Sequence, residues 1–131
     1  FCPGVNHTTV AEHTFALMLA LFRKLIKEAN HVANGEWVRI TGNEIMGKTL
    51  SVIGLGRIGK EVAIRANAFG MKVIGFDLYW DDDFARSHKV KRAQSIDEAL
   101  NAGDIVSLHV NLSDETRALI NKDPLELSSN A

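Results

Sequence analysis

The sequence of 131 residues contains a single cysteine, Cys2. One thiol excludes an intrachain disulfide framework and a multi-cysteine metal centre. An excess of charge of one sign is also lacking: 15 Lys and Arg stand against 16 Asp and Glu, a net charge of −1. A partner of nucleic acid would carry a basic excess or stripe, so none is expected. Long apolar runs are missing as well. The longest, Phe15 to Phe22, has eight residues, against the roughly 20 a membrane span requires. No signal peptide opens the chain, so a cytoplasmic location is expected. There is no initiator Met; residue 1 is Phe, and the sequence reads as beginning inside a longer protein. What is present is 46% hydrophobic and 24% charged, sufficient for one packed domain.

The periodicity divides the chain into alternating elements. Thr9-Val10-Ala11-Glu12 fits a capping box. From there Phe15, Met18, Phe22, Leu25, Ile26, Ala29 and Val32 recur at three- and four-residue steps, which predicts one long helix to about Val32, stopped by Asn34-Gly35. Its first half is apolar nearly all round, as in a helix buried against more than one neighbour. After a loop to about Lys48, Thr49–Leu55 reads as a buried strand. Ile58–Phe69 reads as a helix closed by Gly70, and Met71–Asp77 as a second strand. Ser95-Ile96-Asp97-Glu98 is another capping box opening a short helix that ends near Gly103. Asp104–Val110 is a third strand, and Ser113 caps a short helix through Ile120. Asp123-Pro124 is a further helix start, after which the sequence looks cut off within a fold. Strands alternating with helices imply a parallel sheet with right-handed crossovers.

The strongest chemical signal is Gly54-Leu55-Gly56-Arg57-Ile58-Gly59. Alone, a G-x-G-x-x-G run is weak. Here it follows a strand, opens a helix, and is followed by a second strand ending in Asp77, 21 positions after Gly56, the arrangement of a dinucleotide-binding turn. Gly54 permits the tight turn, Gly56 the approach of a pyrophosphate, and Gly59 close packing of helix on strand. The helix start offers unpaired N–H groups to phosphates. Asp77 can accept from both ribose hydroxyls and would repel a 2′-phosphate, which favours NAD over NADP. The fold class expected is therefore α/β: a partial Rossmann-type doubly wound parallel sheet of about three strands preceded by a long helix. Residues 1–48 would form the helix and its following loop, and residues 49–131 an incomplete Rossmann core. The segment Gly42–Thr49 also matches the P-loop pattern G-x4-G-K-[ST]. That loop needs a helix after it, whereas a strand follows here, and Glu44 would oppose a phosphate. The simpler reading is that Lys48-Thr49 enters the first strand. Asp81-Asp82-Asp83 reads as a solvated loop rather than a metal site, and no metal is expected.

Taken together, these residues resemble the NAD-binding domain of the D-isomer-specific 2-hydroxyacid dehydrogenases. The resemblance is carried by Pro3–Asn6, Val10–Thr14, Gly35–Trp37, Gly47–Leu50, Ile53–Gly59, Phe69–Gly75 and Ser107–His109, with Glu115–Arg117 and Leu119–Asn121. It is collinear from residue 1 to about 122. The resemblance implies that Arg57 and Ile58 present N–H groups to the pyrophosphate and that Asp77 holds the adenosine ribose. It also implies that His109, Val110 and Asn111 line the cofactor and that Thr116 contacts it. Leu78 and Asn111 stand where the family usually has Pro, which affects local loop shape.

Such enzymes use an Arg to grip the substrate carboxylate and a Glu-assisted His as acid/base. In the family these lie downstream of residue 131, so no catalytic residue is expected here. The chain alone is expected to lack turnover of a small 2-hydroxy or 2-keto acid. His109 is read as cofactor-lining, since no Arg or Glu partner can be assigned to it. The long helix is expected to form a homodimer contact. In the usual doubly wound order the first strand is central; with about three strands, an open edge at Thr49–Leu55 should need covering by another chain or a loop. The rival reading is a non-catalytic NAD(H)-binding module that dimerises through the first helix.

Overall fold

The computed structural model describes residues 6–110. The elements run α1 (His7–Phe22), α2 (Leu25–Ala33), β1 (Thr49–Ile53), α3 (Arg57–Ala68), β2 (Lys72–Phe76), α4 (Asp82–Ser87), β3 (Val90–Arg92), α5 (Ile96–Ala102) and β4 (Ile105–Leu108). Among the described residues the sheet has four parallel strands in the order β3-β2-β1-β4.

β1 is the axis of the molecule. Leu50, Val52 and Ile53 are fully buried, each stabilising the fold by roughly 1.5–3 kcal/mol. Leu50 and Val52 belong to the core beneath α1 and α3, with Phe15, Met18, Val62 and Ala66. Ile53 faces the opposite core, with Ala93, Ile96 and Ala99. Helices thus cover both faces, which is why the strand is apolar throughout rather than alternating. Ser51 is the polar exception. It is fully buried, and its hydroxyl donates to the Ala99 carbonyl at 2.5 Å, tying β1 to α5.

Four expectations change. First, the long helix is two helices. Lys24 adopts a left-handed conformation (φ 54°) between them. The chain returns to this break: Asn43 N–H donates to the Phe22 carbonyl at 2.8 Å, and Gly42 lies so close that a Cβ there would sit 2.9 Å from Arg23 Cα. A carbonyl freed at the end of α1 is therefore satisfied by the following loop. Second, Thr9 does not cap α1. The helix starts at His7 after Asn6, with no side-chain cap. A chain already helical at residue 7 leaves Thr9 inside the first turns.

Third, the sheet has one strand more than the expected three. The added β3 is only three residues long, too short to show a period, and it occupies the place outside β2. The strand at Ile105–Leu108 consequently crosses to the other side of β1. No open edge remains at Thr49–Leu55, because β1 lies between β2 and β4. Fourth, Asp81-Asp82-Asp83 is not a loop but the start of α4. Asp81 caps that helix by accepting from Phe84 N–H at 3.1 Å and pairs with Lys60 of α3 at 2.7 Å. The Lys60 hydrogen bond, helped by the Phe84 N–H, holds the Asp81 carboxyl below its ordinary value.

Other elements match within a residue or two. β1 begins at Thr49, so the P-loop-like segment leads into a strand. Gly70 follows α3 with φ +74°. Ser95 caps α5, accepting from Glu98 N–H at 3.0 Å, while the Glu98 carboxylate accepts from Gln94 N–H, one residue before the cap. The helix expected from Ser113 and the start at Asp123-Pro124 lie outside the described residues.

The two threonine/serine starts therefore make opposite predictions. Ser95→Ala should destabilise the chain by about 1 kcal/mol in thermal or urea unfolding. Thr9→Ala, at an exposed position making no cap, should leave the unfolding curve unchanged.

Candidate functional site

The C-terminal ends of β1, β2 and β4 meet around the turn Gly54–Gly56. Gly54 has φ +97° and donates its N–H to the Phe76 carbonyl at 2.8 Å. A side chain at Gly54 would collide with the His109 carbonyl and stand 3.0 Å from Val110 Cγ1. Both the positive φ and the close wall therefore require glycine. At Gly59 the restriction is different: a Cβ would drive into the carbonyl of Gly54. The first turn of α3 can rest on the β1 turn only while residue 59 has no side chain.

Gly56 differs from both. A Cβ built there meets no atom within 4 Å, and its backbone (φ −77°) is open to any residue. Nothing among the described residues explains a glycine at this position. It stands as N-cap of α3 without a side-chain cap, and the first turn contains no acidic residue. Among the described residues no side chain caps the initial N–H groups of this twelve-residue helix, and the positive end of the helix dipole lies behind them. These residues fit a phosphate-bearing cofactor, which needs close backbone approach and unpaired donors.

Asp77 follows β2. One carboxylate oxygen accepts from Leu55 N–H at 2.6 Å and the other from Tyr79 N–H at 2.8 Å. The carboxylate clamps the glycine turn to the end of β2. Each ionised oxygen can still accept a second bond, which leaves acceptor capacity for a vicinal diol.

On the β4 side, His109 N–H donates to the Ile53 carbonyl at 2.7 Å, continuing the β1 ladder by one residue. Its imidazole Nε2 lies 2.5 Å from the hydroxyl of Ser107. Burial holds the His109 imidazole below its ordinary pKa. Val110 packs against the Ile53 core and borders Gly54.

The structure thus brings together Gly54, Gly56, Arg57, Ile58, Gly59, Asp77, His109 and Val110 at one end of the sheet. Arg57 is exposed and Ile58 half-buried at the start of α3. Thr116 and Asn111 lie outside the described residues. Two features went unread in the sequence. The contact from Asp77 to Leu55 N–H spans 22 residues and has no local signature. The Ser107–His109 pair does have one, since residues two apart on a strand share a face.

The sequence model described as D-isomer specific 2-hydroxyacid dehydrogenase, NAD binding domain, matches residues 15–131. The D-3-phosphoglycerate dehydrogenase of Methanocaldococcus jannaschii is 42% identical over 127 residues, covering 95% of this chain and 24% of that protein. The glyoxylate reductase of Korarchaeum cryptofilum is 35% identical over 129 residues, covering 94% of this chain and 39% of that protein. Among solved structures, D-lactate dehydrogenase from Aquifex aeolicus, complexed with NAD and lactic acid, superposes with a TM-score of 0.87 at 35% identity, over 96% of this chain and 38% of that one. The chain therefore spans about a quarter to two fifths of these relatives.

The glycines should separate on substitution without any ligand. Gly59→Ala should destabilise by more than about 2 kcal/mol, because backbone must move. Gly56→Ala should stay within about 0.5 kcal/mol of the parent in the same unfolding experiment.

Proposed function

Because the chain belongs to the D-isomer-specific 2-hydroxyacid dehydrogenases through their NAD-binding domain, we propose that it is the NAD-holding part of an oxidoreductase that transfers a hydride between nicotinamide and a 2-hydroxy or 2-keto acid. One observation carries this reading: a glycine that nothing among the described residues requires opens a helix with no side-chain cap, beside a carboxylate with acceptor capacity left over.

In this reading Gly56 provides the gap through which a pyrophosphate reaches the backbone, and Arg57 and Ile58 donate N–H groups to it. Gly54 and Gly59 shape that gap from behind. Asp77 accepts from the adenosine ribose hydroxyls while continuing to hold Leu55, and its charge opposes a 2′-phosphate. His109 and Val110 flank the β4 side, and Thr116 contacts the cofactor. NAD(H), when bound, supplies the hydride chemistry. No residue of this chain is assigned to grip a substrate carboxylate or to move the proton, so the chain alone should not turn over glyoxylate, hydroxypyruvate or pyruvate. A rate well above the blank, abolished by Gly56→Ala, would show that this division of labour is wrong.

Calorimetric titration tests the cofactor reading. NADH should bind the parent chain, NADPH at least tenfold more weakly, and Gly56→Ala should lose NADH binding while still melting cooperatively. Equal affinity for the two cofactors would remove Asp77 as the ribose reader.

A second element of the proposal is assembly. α1, α2 and the following segment expose Leu17, Leu21, Ile26, Val32 and Trp37, the last completely. No residue of α2 is buried in the chain itself. Exposed large apolar side chains in this number are what an interface would cover, and the proposal is a homodimer contact there. The non-catalytic, dimerising module remains the rival, since it needs the same surface. Sedimentation should show a dimer that Leu21→Glu with Ile26→Glu converts to a folded monomer. A monomer for the parent chain at micromolar concentration would eliminate the contact.

A further inference from the structure

The strand order places the two ends of the candidate site far apart in kind. Asp77 stands at the end of β2, the glycine turn at the end of β1, and His109 just past the end of β4. A dinucleotide whose adenosine ribose meets Asp77 and whose pyrophosphate crosses Gly56 must send its other half toward β4. The ring at that end is cationic in NAD⁺ and neutral in NADH. His109 is the titratable side chain carried by this end of β4.

Ser107 and His109 lie two residues apart, on one face of the strand line, with the hydroxyl 2.5 Å from Nε2. Ser107 is buried, and among the described residues His109 is the only hydrogen-bond partner of its hydroxyl. A buried hydroxyl proton needs an acceptor. With the hydroxyl as donor to Nε2, the ring proton resides on Nδ1. Were the ring protonated, Nε2–H would turn to the hydroxyl oxygen and strand the hydroxyl proton. The pair thus favours a neutral imidazole.

We propose that Ser107 is a positioning residue which keeps His109 neutral, and that His109 thereby lets the site accept the oxidised cofactor as readily as the reduced one. This rests on the cofactor reading above. Burial of the ring acts in the same direction. Among the described residues the groups around it provide no competing charge. Ile53 and Gly54 of β1 and its turn, and Ser107 and Val110 of its own segment, are uncharged. On flanking elements, Asp77 is engaged with Leu55 and Tyr79, Lys60 with Asp81. Glu61 and Arg65 of α3 pair with each other. Arg57 of α3, His7, Glu12 and His13 of α1, and Asp97 and Glu98 of α5 are the other ionisable groups on the described helices around β1, and burial is the cause acting on the His109 ring.

The test is titration of the chain with NAD⁺ and, separately, NADH between pH 8 and pH 5.5. The ratio of the two dissociation constants cancels effects common to both, including those on the phosphates. As pH falls below the ordinary histidine range and the ring gains its proton, NAD⁺ should weaken about fivefold more than NADH, since like charges then face one another. In Ser107→Ala the onset should move to higher pH, because the neutral ring has lost its donor. Ser107→Thr should restore the parent profile, and His109→Gln should make the ratio independent of pH. A ratio that is flat with pH in the parent chain, or unmoved by Ser107→Ala, overturns the inference while leaving the cofactor reading intact. Absence of binding by either cofactor at pH 8 overturns both. A merely structural Ser107 would change both affinities together and leave the ratio alone.

Discussion

The close approach of α3 to the carbonyl of Gly54 is the constraint on which the other features depend. It fixes how far the helix start can advance over β1, and so how near its first N–H groups come to the sheet end. It is possible only because residue 59 has no side chain. From this contact the rest follows in order. Residue 54 must be glycine because it turns with positive φ and because His109 and Val110 fill the space where a side chain would go. β4 must lie beside β1 for that wall to exist. α3 must be apolar on the face with Val62, Ala63 and Ala66, since it is held against Leu50 and Val52. Rigid packing behind the turn leaves Gly56, in front of it, as the free position.

Asp77 has a double function in this arrangement. Specificity residues are commonly imagined as pointing at the ligand alone. Here the carboxylate first binds the protein, bridging Leu55 and Tyr79 backbone groups. The turn is thus preorganised by the group proposed to read the ribose, and the ordering cost falls on folding rather than on binding. It also means that exchanging Asp77 to alter cofactor choice would disturb the turn itself.

The site was more legible in the sequence than the fold around it, for a physical reason. Gly54, Gly56, Gly59 and Asp77 stand at fixed spacing along one strand–turn–helix–strand unit, so their pattern survives in one dimension. β3 was not legible because three residues cannot display a period. The break at Lys24 was not legible because no glycine or proline marks it; the bond that accommodates it comes from Asn43, in the loop before β1. Apolar positions such as Ile26 and Val32 continue the helical period across the break, yet they are exposed. Periodicity reports that a face is apolar, not what covers it. The same gap explains why Asp81 was misread: its partner Lys60 is brought beside it by the crossover from α3 to α4, not by nearness in sequence.

The position of β4 joins these observations. A strand order in which Ile105–Leu108 lay outside β2 would have left β1 open and removed the His109 wall. With β3 filling that place, β4 pairs with β1, and Ser51 of β1 reaches Ala99 of the preceding helix. β4, placed beside β1, supplies the backbone that stands behind Gly54 and the side chain at the far end of the site. Residues that touch no ligand decide the site's electrostatics in this way: the sheet order selects His109, and a buried hydroxyl on the same strand governs its charge.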